Sequence, residues 1–152
     1  MVTKIVSGGQ TGVDRAGLDA GLGLGLEIGG YCPRGRRAED GPIDLKYPLL
    51  ETSSAAYPPR TRLNVLRSDA TLLIRRGDLT PGSRDTAWIC LAENKKLVEV
   101  ELEDLTDLGY EYVRSRLNNV NVLNVAGPRE ASRPGVYQQA HDFLVRLLKE
   151  GN

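Results

Sequence analysis

Three short segments of the sequence gather residue types that hold an oxyanion. The first is Ser7-Gly8-Gly9-Gln10-Thr11-Gly12-Val13-Asp14, directly after a short apolar run. Adjacent glycines let a backbone turn tightly and present bare N–H groups. Thr11 and Asp14 stand at capping-box spacing, which makes Thr11 the expected N-cap of the following helix. A helix N-terminus with free N–H groups attracts anions. Ser7, Gly8, Gly9, Gln10, Thr11 and Gly12 are therefore the expected cradle, with the amides of Gly8, Gly9 and Gly12 on the anion. On this reading Gly9→Val blocks the anion site and leaves the domain folded. The second segment runs from Thr80 to Thr86, where Gly82 frees the backbone and Ser83 and Thr86 offer hydroxyls. Pro-Gly-Ser is also ordinary turn and cap chemistry, so both readings stand. The third runs from Ala126 to Gly135, with Arg129, Ser132 and Arg133 next to a helix start.

A charged run, Arg34-Gly35-Arg36-Arg37-Ala38-Glu39-Asp40-Gly41, lies inside a long irregular stretch from Cys32 to Pro59 that holds five prolines. Loops of that length in a compact domain are often functional. Arg34, Arg36 and Arg37 are expected to neutralise a phosphate or a molybdate-like oxyanion. The alternative is a solvated loop with weak internal ion pairs. Any acid catalysis would fall to Glu39, Asp40, Glu51 or Asp85, although no spacing singles out a pair. Glu51, Thr52, Tyr57, Arg60, Thr61 and Asn64 follow and are read as facing the same crevice.

These segments need elements to bring them together. Strands are read at Val2 to Val6, Leu26 to Tyr31, Ala70 to Ile74, Leu97 to Val100 and Val120 to Ala126. Helices are read at Thr11 to Leu24, Arg60 to Arg67, Ser83 to Asn94, Leu105 to Leu117 and Val136 to Lys149. The last helix carries its apolar face on Val136, Ala140, Phe143, Leu144 and Leu147. Gly17 and Gly21 stand four apart, for close approach of a helix to a sheet. Short apolar strands alternating with helices predict an α/β three-layer sandwich with a mostly parallel sheet of about five strands. In such a sheet the loops after the strands share one edge, where ligands bind.

The 152 residues suit a single domain, 1–152. Twenty basic and twenty acidic side chains balance, which gives no support for nucleic-acid binding. Two cysteines, Cys32 and Cys90, and one histidine, His141, are too few for a zinc cage, and no metal site is expected. No stretch approaches a membrane span and no leader is evident, so a cytoplasmic domain is expected.

The opening from Ser7 through Ala20 resembles the putative molybdenum carrier family, a circularly permuted YpsA-like branch of the SLOG superfamily. The resemblance continues through Gly30-Tyr31-Cys32-Pro33-Arg34 to Gly41, Tyr47-Pro48-Leu49-Leu50-Glu51-Thr52, Tyr57, Arg60-Thr61, Asn64-Val65, Ser68 to Thr71, the Gly82 loop and Ala126-Gly127-Pro128-Arg129. It implies a Rossmann-like fold and a carrier for molybdenum cofactor, or for a related phosphorylated pterin or nucleotide. It also implies a homo-oligomer and a molybdoenzyme or cofactor-biosynthesis partner. Related phosphoribohydrolases use a Pro-Gly-Gly-x-Gly-Thr loop followed by a glutamate. Here the matching stretch is Pro81-Gly82-Ser83-Arg84-Asp85-Thr86-Ala87-Trp88, with the middle glycines replaced and no glutamate close after Thr86. Cleavage of a nucleotide N-glycosidic bond, or ligand sensing by an oligomer, are the alternatives to a carrier.

Overall fold

The computed structural model describes residues 1–151. The elements run β1 (Lys4–Val6), α1 (Val13–Gly23), β2 (Glu27–Gly29), β3 (Tyr31–Cys32), β4 (Arg37–Ala38), β5 (Gly41–Pro42), β6 (Leu50–Glu51), α2 (Tyr57–Leu66), β7 (Ala70–Arg75), α3 (Pro81–Ala92), β8 (Lys96–Glu101), α4 (Asp107–Arg116), β9 (Val122–Ala126) and α5 (Val136–Gly151). Five strands form one sheet in the order β2-β1-β9-β7-β8. Every pair in it is parallel. This is the predicted Rossmann-like α/β architecture.

The strand order places the functional edge. From the middle of the sheet, β1 leads through α1 outward to β2, and β7 leads through α3 outward to β8 in the other direction. Right-handed crossovers that diverge in this way put their helices on opposite faces. The packing agrees: α1 and α4 both contact α5, while α2 contacts α3. The last strand, β9, sits between β1 and β7. The loops after β1, β9 and β7 thus meet at a topological switch point, the place where such sheets open a crevice.

Burial follows the same plan. Ala70 to Ile74 of β7 are all buried, as a strand covered by helices on both faces must be. Ile5, Leu72, Leu123 and Val125 join Val136, Phe143, Leu144 and Leu147 of α5 in the core. A Cβ on Gly17 would stand 2.9 Å from Val125, so α1 lies directly on β9 because position 17 has no side chain.

Two readings of the sequence need correction. Cys32 to Pro59 is not structureless: β3 pairs with β6 in parallel, and β4 with β5 as a small hairpin. Its anchor is Tyr47, whose hydroxyl donates to Asp19 Oδ1 (2.6 Å), while Tyr137 of α5 donates to Asp19 Oδ2 (2.5 Å). Burial first, and then this bond to a carboxylate, push the Tyr137 phenol up to about 12. Helix α2 also begins before Arg60, with Pro58 and Pro59 in its first turn. First-turn N–H groups have no helical acceptor, so proline costs nothing there. The same holds for Pro81 at the start of α3.

The start of β9 is held by a single side chain. Asp69 Oδ2 accepts the N–H of Asn121 (3.0 Å) and of Val122 (2.8 Å). These bonds, Val122 first, hold its carboxyl below the ordinary 3.8. A depressed acid stabilises above its unfolded value, and the contribution disappears as pH falls through the folded value. Asp69→Ala is expected to lose about 1 kcal/mol at neutral pH, allowing for the exposure of the site. Urea unfolding at neutral pH and near pH ~2 checks it, since wild type and variant should converge in acid.

Among the described residues no helix is long and apolar enough to cross a membrane, and no three His, Cys, Asp or Glu gather to hold a metal. Both cysteines are free and buried, and burial raises both thiols.

Candidate functional site

A cavity of about 470 Å³ opens at the switch point. Its walls are Gly8, Gln10 and Asp14 from the β1–α1 turn, Tyr57 to Asn64 of α2, Thr80 to Thr86 at the start of α3, and Asn124 to Ser132 after and within β9. That size suits a small-molecule ligand.

The β1–α1 turn is built differently from the expected cradle. Of the three amides expected on the anion, that of Gly9 is used inside the protein, as are those of Gln10, Thr11 and Val13, while those of Gly8 and Gly12 have no acceptor among the described residues. Gly9 donates to Ser7 Oγ (3.2 Å), Gln10 to Asp14 Oδ2 (3.3 Å), Thr11 to Gln10 Oε1 (3.0 Å) and Val13 to the carbonyl of Pro128 (3.2 Å). Helix α1 starts at Val13 with Gly12, not Thr11, at the cap position. Thr11 instead donates its hydroxyl to Glu39 and accepts the N–H of Glu130. The negative charge favoured at a helix N-terminus is supplied by the protein itself, as the Asp14 carboxylate. Burial pushes the Asp14 carboxyl above 3.8, opposed by the Arg60 charge and the Gln10 N–H. Arg60 Nη1 stands 3.5 Å from Asp14 Oδ2.

Positive charge converges around Tyr57. The guanidinium carbons of Arg37, Arg60 and Arg129 lie 4.6, 5.2 and 5.3 Å from the centre of the Tyr57 ring. They come from β4, α2 and the β9–α5 loop, three parts of the chain far apart in sequence. An aromatic face attracts each cation, but the cations repel one another. Arg60 faces Asp14, and Arg129 Nη1 lies 3.8 Å from Glu39 Oε2. Among the described residues Arg37 donates only to a backbone carbonyl, that of Ala55.

The third wall is the N-terminus of α3. Thr80 caps it, accepting the N–H of Ser83, and Pro81 has no N–H to give. The N–H of Gly82 has no acceptor among the described residues, and a Cβ built there would meet nothing within 4 Å. The backbone therefore lies bare to the cavity at the positive end of a helix.

The residues singled out in the sequence divide by place. Gly8, Gln10, Gly82, Thr86, Arg129 and the acid Asp85 border the cavity. Arg37 reaches Tyr57 on its wall. Ser7 and Ser83 are buried behind it: Ser7 Oγ donates to the Asp14 carbonyl, and Ser83 Oγ accepts from Thr80. Gly9 packs toward Ile43 and Leu49, and Gly12 against residues 128–130. Arg36 spends its guanidinium on the carbonyls of Ile43, Asp44, Tyr47 and Leu49, which holds the irregular segment together. Arg34 donates to the Ser53 carbonyl. Of the other acids, Glu39 also accepts the Ala131 N–H, Asp40 pairs with Arg15 at 2.6 Å, and Glu51 accepts the Gly35 N–H. Asp14, expected only as part of a cap, Thr80, expected only as the start of the second segment, and Asn124, which was not singled out, also border the cavity. A signal for Asn124 was present: it is the single polar residue in the run Val122-Leu123-Asn124-Val125-Ala126, and its amide donates to buried Thr71.

Comparison with known proteins is consistent with this architecture. No curated protein matches the chain. A crystal structure described as Putative molybdenum carrier protein from Syntrophus aciditrophicus SB superposes with a TM-score of 0.89 at 37% identity, covering 97% of this chain and 95% of that one. The family described as Circularly permutated YpsA SLOG matches residues 5–148. With nearly its whole length matched, the chain belongs to the circularly permutated YpsA SLOG family.

Proposed function

We propose that this protein is a binding or carrier protein for an anionic, phosphate-bearing small molecule, of the molybdenum-cofactor or nucleotide type, held in the cavity at the switch point. One observation carries the reading: three arginines from separate parts of the chain meet around Tyr57, on the cavity that the unpaired Gly82 N–H of α3 also lines. Like charges gathered beside an unpaired backbone N–H at a helix start favour an oxyanion. The oxyanion belongs at Gly82, Arg129 and Arg37 rather than on the β1–α1 turn, where Asp14 would repel it.

Of the four acids, Glu39, Asp40 and Glu51 are committed to contacts that hold loops in place, which favours a carrier and leaves Asp85, on the cavity wall, as the acid that an N-glycosidic hydrolase would have to use. The name of the Syntrophus relative favours a molybdenum-related ligand. Calorimetry with molybdenum cofactor, molybdate, AMP and ADP-ribose tests the reading. Tight binding of the cofactor alone supports the carrier, and binding of nucleotides alone makes base release the next assay.

Gly82→Val separates this placement from the first turn. Space is open around the new side chain, and valine suits a helix slightly better than glycine. Stability should stay within about 0.5 kcal/mol of wild type. Affinity for a phosphate-bearing ligand should fall at least about tenfold, roughly 1.4 kcal/mol. Unchanged affinity would move the oxyanion away from α3.

A further inference from the structure

We propose that Asp14 and Gln10 select the uncharged end of the ligand, and that the cavity takes a ring bearing the 2-amino-4-oxo pyrimidine edge shared by guanine and the pterins. This rests on the reading of the cavity as a phosphate-ligand site.

The orientation of the Gln10 amide is set by its own bonds. Oε1 accepts the N–H of Thr11 (3.0 Å) and of Glu39 (2.9 Å), so the amide nitrogen is the end left over. Gln10 is 5% exposed and borders the cavity, and its Nε2 is buried with no partner. A buried donor without an acceptor is uncommon in folded proteins, and in a residue that borders a cavity a ligand atom would satisfy it. Asp14, 4% exposed, also borders the cavity. Its Oδ2 takes the Gln10 N–H and faces Arg60, while Oδ1 accepts no hydrogen bond from the described residues. The Gln10 N–H bond to Asp14 keeps the two residues adjacent. At the floor of the cavity a carboxylate therefore stands next to a buried amide donor that lacks an acceptor.

Ring edges can be compared with that pattern. Guanine and pterin edges offer a ring N–H and an amino group as paired donors, next to a carbonyl. The donors suit the carboxylate and the carbonyl suits Nε2. An adenine edge offers one donor and a ring-nitrogen lone pair, which the carboxylate would repel. A bare oxyanion would meet the same repulsion at Asp14. The charges of the cavity thus orient the ligand, with its phosphate toward Gly82 and Arg129 and its ring over Asp14.

The test is calorimetric binding of the purified protein to GMP, neopterin monophosphate, AMP, xanthosine monophosphate and inorganic phosphate. GMP or neopterin monophosphate should bind at least ~10-fold tighter than AMP, about 1.4 kcal/mol, and the tighter of the two identifies the ring as guanine or pterin. Xanthosine monophosphate, with a carbonyl in place of the amino group, should bind no better than AMP. Asp14→Asn should reverse the preference between it and GMP, because a carboxamide can donate to that carbonyl. Should that variant fold poorly beside Arg60, the order for the wild-type protein decides. AMP or xanthosine monophosphate binding as tightly as GMP and neopterin monophosphate would overturn the proposal while leaving the phosphate site standing. Binding of none of the five would overturn both.

Discussion

Gly9→Val is expected to destabilise the protein by about 3 kcal/mol, the sum of backbone strain and overpacking, rather than to blunt a ligand site selectively. Gly9 has φ +75°, a conformation that a β-branched residue adopts only under strain. A Cβ there would stand 2.6 Å from Leu49 Cδ1 and 2.9 Å from Ile43 Cδ1. Both side chains are buried and belong to the irregular segment that Arg36 and Tyr47 tie down. Denaturant unfolding should show a lowered midpoint with an unchanged slope, because the unfolded state is the same chain. The contrast with Gly82→Val is the informative part: one glycine serves the fold and the other leaves backbone bare to the cavity. A Gly9→Val protein of wild-type stability that had lost its ligand would restore the first turn as the anion cradle.

The two glycines also show what the sequence could and could not convey. The parallel sheet, the five main helices and the sharing of one edge by three loops follow from local signals: apolar strand runs, helical period and the turn residues between them. Those signals say which loops meet, and the cavity does lie among them. They do not say which way an N–H points within a loop. Ser7, Gly9 and Gly12 have the composition of an anion cradle, yet their positions are used by contacts to Asp14, at the end of the same segment, and to Leu49 and Pro128 from elsewhere in the chain. Arg36 and Arg37 are neighbours of the same type. The first is turned onto four carbonyls and the second onto Tyr57, and only the paths of β4 and α2 separate those fates. Asp14 was read as part of a cap because spacing reports local partners, whereas its counter-ion lies on α2, at Arg60. Such long-range pairings depend on the closed fold.

That long-range pairing carries the other large effect. Arg60→Ala is expected to cost about 3 kcal/mol at neutral pH, the low end for breaking a buried ion pair, because the cavity lets water reach the site. The side chains of Arg60 and Asp14 are 13% and 6% exposed. Removing the cation leaves the carboxylate buried against its own desolvation, which already raises its pKa. The sign of the pH dependence follows. An acid whose folded value lies above its unfolded value binds more protons when folded, so stability rises as pH falls between the two. Without the Arg60 charge the folded value rises further, so the deficit of Arg60→Ala should be full above the variant's folded value and disappear as pH falls through the wild-type one, which itself lies above 3.8. Arg60→Lys, which restores a charge without the planar fork, should recover part of the stability at neutral pH. Urea unfolding across the acid range separates charge from packing. A deficit that stayed constant with pH would mean that Arg60 acts by covering Gly8 and Tyr57, and that Asp14 does not need its charge balanced. A deficit that closes in acid would establish Asp14 as a carboxylate kept ionised by Arg60, the state in which it presents an acceptor to the cavity.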